Sequence, residues 1–216
     1  MEKIFAVWKP KGPTSHDIVN EVRRVTGERR VGHAGTLDPL AEGVLVVAVG
    51  REATKKLASV VKKEKEYIAA IEFGKTSDTD DAAGNIKEVG LPKEVPLPKI
   101  ESILKKFTGE ILQTPPAYSA VKVAGRPAHR RVRGGERVEL KPRKVVVREI
   151  EVLKYDWPRL TIRVVTGPGV YIRALARDLG RALGTGGYLK ELTRTRVGQF
   201  TKEKAVFIHI DRRKRN

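Results

Sequence analysis

The sequence predicts an α+β protein whose mixed, largely antiparallel sheet is flanked by helices. Apolar runs or alternations of strand length recur at residues 4–8, 44–49, 65–74, 145–155 and 160–166. Between them lie stretches with apolar residues at three- and four-residue spacing, at 18–25, 51–62, 100–107 and 171–183. The length, 216 residues with 40% hydrophobic content, is enough to bury a substantial core.

Taken in order, residues 4–8 read as a short strand that runs into Lys9-Pro10-Lys11-Gly12-Pro13-Thr14-Ser15. Thr14, three positions before Asp17, opens a helix in the manner of a capping box. Ile18, Val22 and Val25 continue it, and Gly27 stops it. Residues 32–43 then form a Gly-rich loop around Asp38. Pro39 biases Asp38 toward extended backbone angles, and the glycines at 32, 35 and 43 allow sharp turns on either side. On local chemistry alone this stretch reads equally as a capped turn and as a mount that aims a carboxylate at a ligand.

Residues 44–49 form an unbroken apolar run, the pattern of a strand covered on both faces. Residues 51–62 follow as one helix with Ala53, Leu57, Val60 and Val61 inward. In the next strand Tyr67, Ala69, Ile71 and Phe73 share a face, and position alone favours Tyr67 as a core tyrosine. Residues 74–85 look like a loop. Its carboxylates Asp78, Asp80 and Asp81 lack the glycine and terminal Glu of a calcium loop, so the turn reads as structural and no metal is expected. A Pro-rich connector at 91–98 leads to a helix marked by Ile100, Ile103, Leu104 and Phe107 and ended by Gly109.

Residues 126–143 carry Arg126, Arg130, Arg131, Arg133, Arg137, Lys141 and Arg143 with few large apolar side chains. Such a segment supplies little core and reads as a mobile arm that grips RNA. Two strands joined at Trp157-Pro158-Arg159 follow. Gly167-Pro168-Gly169 then turns into a helix from about Tyr171 to Leu183, with Ile172, Leu175, Ala176, Leu179 and Leu183 inward. The chain ends in a short basic tail, Arg212-Arg213-Lys214-Arg215-Asn216.

Charge narrows the function. Forty-four Lys and Arg against 26 Asp and Glu leave +18, which favours a polyanionic partner, nucleic acid first. No secretory signal or apolar run of membrane-spanning length is present, so a cytoplasmic location with no membrane partner is expected. Zero cysteines exclude disulfides, thiolate metal ligands and cysteine nucleophiles, and the four histidines show no ligand spacing.

Gly32-His33-Ala34-Gly35-Thr36-Leu37-Asp38-Pro39, followed by Ala41-Glu42-Gly43-Val44-Leu45, resembles the catalytic motif of the TruB family of tRNA pseudouridine synthases. Four further segments match in the same order, spanning about residues 4–200. They are Lys9-Pro10-x-Gly12-x-Thr14-Ser15, the Lys65-x-Tyr67 strand, the block from Gln113 to Gly125, and Gly169-Val170-Tyr171-Ile172-Arg173 continuing through Leu192 to Phe200.

The resemblance implies the pseudouridine synthase fold over residues 1–200, a thumb-like insertion at about 116–142, and a short tail at 201–216 in place of the family's full C-terminal RNA-binding domain. It implies a monomer that isomerises the T-arm loop uridine of tRNA, position 55, without a cofactor. Asp38, Tyr67 and Arg173 stand at its catalytic positions: Asp38 as the reacting carboxylate, Arg173 as its ion-pair partner, and Tyr67 as the ring that stacks on the flipped uracil. His33, Tyr171, Leu192, Lys9, His129 and Arg130 stand at substrate-binding positions, with Lys9 best suited to bracing the loop. Ala128-His129 replaces the family's usual Ala-Tyr, and Gly167-Pro168 a less constrained sequence.

The isomerisation breaks the N1–C1′ bond, turns the uracil and rejoins it through C5. One ionised carboxylate suffices to attack C1′ or C6 or to remove a sugar proton. Two other readings stay open: an RNA-binding module without activity on the same scaffold, and a synthase that depends on a guide RNA.

Overall fold

The computed structural model describes residues 3–90 and 93–208, so the basic tail lies outside the described residues. The chain parts into two compact units. Residues 1–67 and 192–216 form the first, and residues 68–191 the second.

In the first unit, strand β1 (Lys3–Lys9) leads to helix α1 (Ser15–Thr26). The expected capping box is present: the Thr14 side chain accepts from the Asp17 N–H, and Asp17 accepts from the Thr14 N–H. Gly27 closes the helix in the left-handed conformation, φ 69°. Strands β2 (Val31–Ala34) and β3 (Glu42–Val49) follow; β3 pairs antiparallel with β1 and, at its far end, antiparallel with β2. The Gly-rich stretch is therefore a strand for its first residues and turns only after Ala34. Gly32 permits this because a Cβ there would stand 3.0 Å from the Leu57 side chain.

The apolar run is buried on both faces, as its composition requires. Leu45, Val47 and Val49 pack with Ile18, Val19 and Val22 of α1, while Val44, Val46 and Ala48 pack with Ala53, Leu57 and Val60. Those last residues belong to two short helices, α2 (Arg51–Lys55) and α3 (Leu57–Val61), where one helix was expected. At Lys56 the N–H closes tightly onto the Ala53 carbonyl, and the chain restarts with Leu57 turned inward. Strand β4 (Lys65–Phe73) then carries the chain into the second unit.

The loop expected at 74–85 is framed by a small hairpin, β5 (Lys75–Ser77) and β6 (Ile86–Glu88). Helix α4 (Leu97–Lys106) ends before Gly109, which begins strand β7 (Gly109–Gln113). The basic segment is ordered into a two-residue hairpin, β8 (Lys122–Val123) and β9 (Arg126–Pro127), and a short helix α5 (Ala128–Arg133). Ala128 is fully buried there, and Arg126, Arg130, Arg133 and Arg137 are exposed. Strands β10 (Arg143–Asp156) and β11 (Arg159–Thr166) pair antiparallel, and β10 also pairs with β7. Helix α6 (Ile172–Leu183) follows, with Tyr171 as its N-cap rather than its first turn.

Strand β12 (Gly187–Val197) returns the chain to the first unit, where Thr193 and Arg194 run parallel to Glu42 and Gly43 of β3. Strand β13 (Phe200–Thr201) folds back on β12, and β14 (Val206–Phe207) lies parallel to β1. The pairing is thus mixed and mostly antiparallel, with helices packed against it. Among the described residues, no helix is long and apolar enough to cross a membrane.

Candidate active site

In the first unit the Asp38 loop is tied down carbonyl by carbonyl. The Leu37 carbonyl accepts from the Ser15 hydroxyl at 3.0 Å, and the same hydroxyl accepts from the Leu37 N–H at 2.8 Å. The Asp38 carbonyl accepts from the Ala41 N–H at 3.0 Å and the Pro39 carbonyl from the Gly12 N–H at 2.8 Å. The Ala41 carbonyl accepts from the Lys9 ammonium at 2.6 Å, which also donates to Pro10 at 2.9 Å. The backbone polar groups of the turn are thereby satisfied from β1 and from the entry to α1. What the loop leaves at its apex is the half-buried Asp38 side chain. Lys9 is fully buried, so its ammonium serves the loop, which is the bracing geometry.

Three buried cations surround this loop: Lys9, Lys65 and Arg194. Lys65 donates to the carbonyls of Val61 and Lys63, at 2.7 Å each. Burial lowers Lys65 to about 8, with the charge of Arg194 adding to the effect. Burial also lowers Lys9 to about 8. Asp38 opposes that shift and Arg194 reinforces it, while Glu42 and Asp17 pull upward. His33 is pushed below its ordinary value by burial, then by Arg194 and His16, and its Nε2 lies 3.2 Å from the Thr36 hydroxyl.

Arg194 is the largest fully buried side chain of the described residues. Its Nε donates to the Val44 carbonyl and its Nη2 to the Gly35 carbonyl, both at 2.8 Å. Burial lowers its pKa, while Tyr67 and then the charge of Asp38 favour its ionised form. That attraction is mutual, so the same field acts on the Asp38 carboxylate. Tyr67 is buried in β4, and Leu192 is half-buried two residues before Arg194. Lys9, Asp38, Tyr67 and Arg194 thus form one electrostatic group, and the arrangement suits a carboxylate acting as nucleophile or base.

In the second unit, Gln113 holds the backbone of Tyr171 at both ends. Its Oε1 accepts from the Tyr171 N–H at 2.9 Å and its Nε2 donates to the Tyr171 carbonyl at 3.1 Å. Arg173 is buried on the first turn of α6. It donates to the Tyr118 carbonyl at 3.0 Å and the Thr79 carbonyl at 3.4 Å, and lies 3.7 Å from Asp81. Its guanidinium sits 6.0 Å from the Tyr171 ring centroid. His129 also meets this region, with Nδ1 at 3.0 Å from the Ser119 carbonyl, while Arg130 of the same helix is exposed.

The acidic turn is structural in geometry. Asp78 accepts from the backbone and side chain of Asn85, and Asp80 pairs with Arg177 at 2.7 Å. Asp81 accepts from Thr79 and from the Ala83 N–H. Burial raises Asp80 above its ordinary value although Arg177 opposes it.

The sequence places Arg194, Lys65 and Gln113 in segments that match the family but gives them no site role, and the Asp81–Arg173 contact goes unforeseen. Nothing local to Thr193-Arg194-Thr195-Arg196 shows that Arg194 faces inward. For Lys65, the signals were its place in the Lys65-x-Tyr67 segment and at the first inward position of an alternating strand.

Residues 23–172 match the family model described as TruB family pseudouridylate synthase (N terminal domain). Residues 173–210 match the model of the tRNA pseudouridylate synthase B C-terminal domain. The chain is 49% identical over 211 residues to the tRNA pseudouridine synthase B of Thermobifida fusca, covering 94% of this chain and 72% of that protein. It is 45% identical over 199 residues to that of Parabacteroides distasonis, covering 89% and 84%.

Among solved structures it resembles a chain of a Cbf5-Nop10-Gar1 complex, with TM-score 0.75 and 33% identity over 95% of this chain. It also resembles a chain of an H/ACA RNP bound to a substrate RNA containing 2′-deoxyuridine, with TM-score 0.70 and 30% identity. The chain spans about half the length of each of these two solved chains, 52% and 50%. A pinned loop presenting one carboxylate to buried cations, a family match through most of the residues, and close relatives along nearly the whole chain agree: this protein belongs to the TruB family of pseudouridylate synthases.

Proposed function

We propose that the chain converts the T-arm loop uridine of tRNA, position 55, to pseudouridine, with Asp38 as the reacting carboxylate. The observation that carries the reading is the Asp38 loop itself, whose carbonyls are bonded inward while the one acidic side chain is left at the apex among buried cations. Burying cations costs desolvation energy, and the charge of Asp38 opposes the loss of charge on two of them, Lys9 and Arg194.

The reaction is an isomerisation. The N1–C1′ bond breaks, a C5–C1′ bond forms, and the proton lost from C5 is balanced by one gained at N1. No electron leaves the substrate, so no cofactor is called for. Asp38 serves this chemistry in ionised form whether it attacks C1′ or C6 or removes a sugar proton. Extruding the uridine from the RNA stack costs about a few kcal/mol, which stacking on the Tyr67 ring offsets. Family resemblance assigns Arg173 to the ion pair with Asp38. It assigns His33, Tyr171, Leu192, Lys9, His129 and Arg130 to the substrate, with residues 116–142 as the gripping arm. In this reading the protein is a cytoplasmic monomer.

The test is tritium release or direct detection of pseudouridine on in vitro transcribed tRNA, with no other RNA added. The wild type should turn over unaided. Asp38→Asn should lose at least about 10⁴-fold in rate, and Arg173→Leu should lose far more rate than tRNA affinity. Retained turnover in Asp38→Asn refutes the catalytic assignment. Turnover seen only after adding a guide RNA favours an RNA-guided synthase.

A further inference from the structure

We infer that Arg194 is a positioning residue of this active site: its single buried guanidinium clamps both ends of the Asp38 loop and so fixes where the carboxylate is presented. The inference rests on the reading of Asp38 given above and extends it to a residue outside the Asp38 loop, for which the resemblance implied no role.

Three features separate Arg194 from an ordinary core side chain. First, its two backbone acceptors lie on opposite sides of the loop, Gly35 before Asp38 and Val44 after it, each at 2.8 Å. One planar group therefore sets the span of the turn. Second, its backbone is seated as closely as its side chain. Arg194 is in register with Gly43, where a Cβ would stand 2.2 Å from the Arg194 carbonyl oxygen, and the Gly43 φ of 120° suits glycine. Third, Tyr67 and then Asp38 favour the ionised state of Arg194, so the clamp and the carboxylate it presents attract one another.

Lys9 and Lys65 differ in reach. The Lys9 ammonium bonds the carbonyls of Pro10 and Ala41 and the Lys65 ammonium those of Val61 and Lys63, so neither spans the loop from before Asp38 to after it. A buried arginine is also poor material for stability alone. Desolvating its charge costs several kcal/mol, and an apolar side chain of similar volume packs as well or better. Lysine could not replace it, since one ammonium lacks the flat fork that serves two acceptors in fixed directions.

The experiment is a double-mutant cycle on single-turnover pseudouridine formation at saturating enzyme, with tRNA affinity measured in parallel. Arg194→Gln should lower the rate about 100-fold while the Kd stays within about threefold. Asp38→Glu should lower the rate on its own. The double variant should fall no more than about threefold below the slower single variant, because both changes spoil the placement of one carboxylate. A full rate in Arg194→Gln, affinity falling in step with rate, or penalties that multiply overturns the inference.

Should Arg194→Gln fail to fold, the wild-type chain still decides. In ¹⁵N-arginine spectra the Arg194 guanidinium resonance should be protected from exchange and should move in Asp38→Asn. A resonance that stays in place overturns the inference. The reading of the site itself is judged separately by Asp38→Asn: if that variant is inactive while Arg194→Gln keeps the full rate, only the present inference fails.

Discussion

Lys65 shows what a single buried charge does to this protein. Its ammonium is buried and lowered from 10.5 to about 8, chiefly by burial. Below 8 both folded and unfolded chains carry the proton, and the folded state bears the full desolvation cost. Between about 8 and 10.5 the folded chain gives up the proton while the unfolded chain keeps it, so this residue's contribution to stability rises with pH. Urea unfolding should therefore show the wild type gaining on Lys65→Met as pH rises through that window. A difference flat with pH, or of opposite sign, would mean the group is solvated. At this scale Asp38 was legible in sequence, since glycines and a following proline advertise an unusual loop. Arg194 was not, because inward and outward positions in an alternating Thr-Arg strand look identical until a neighbouring strand decides which face is covered.

Among the elements, β3 is the one most fully determined by its own residues. An unbroken apolar run has no face to offer water, and α1 covers one side while α2 and α3 cover the other. Its first residues are decided differently. Gly43 lies in register between Lys9 of β1 and Arg194 of β12, and β12 approaches so closely that no side chain fits. Gly43→Ala should destabilise the chain by about 2–5 kcal/mol, combining backbone strain with overpacking. Chemical denaturation with a midpoint unchanged from wild type would show that the strands can part without cost. Sequence reading erred at elements where tertiary packing overrode local pattern: residues 51–62 split at Lys56 so that Leu57 can turn inward, and residues 31–34 are drawn into a strand by the edge of β3.

For the whole molecule, charge is the governing property. A net +18 on 216 residues, with Arg126, Arg130, Arg133 and Arg137 exposed on one segment, makes RNA association strongly salt-dependent. Replacing Arg133 and Arg137 together by Gln should weaken tRNA binding and flatten the slope of log K against log salt by about one per lost phosphate contact. Single-turnover rates at saturating enzyme should change little. An unchanged slope would remove this segment from the RNA-contacting surface.

The chain by itself determined the class of partner, the α+β alternation, the capped first helix and the identity of the loop that carries Asp38, because charge, periodicity and turn chemistry are properties of neighbouring residues. Tertiary structure alone decided which polar side chains turn inward. Lys9, Lys65 and Arg194 meet beneath one loop only after strands distant in sequence pair up, and the cost of burying a cation depends on what those strands bring alongside it.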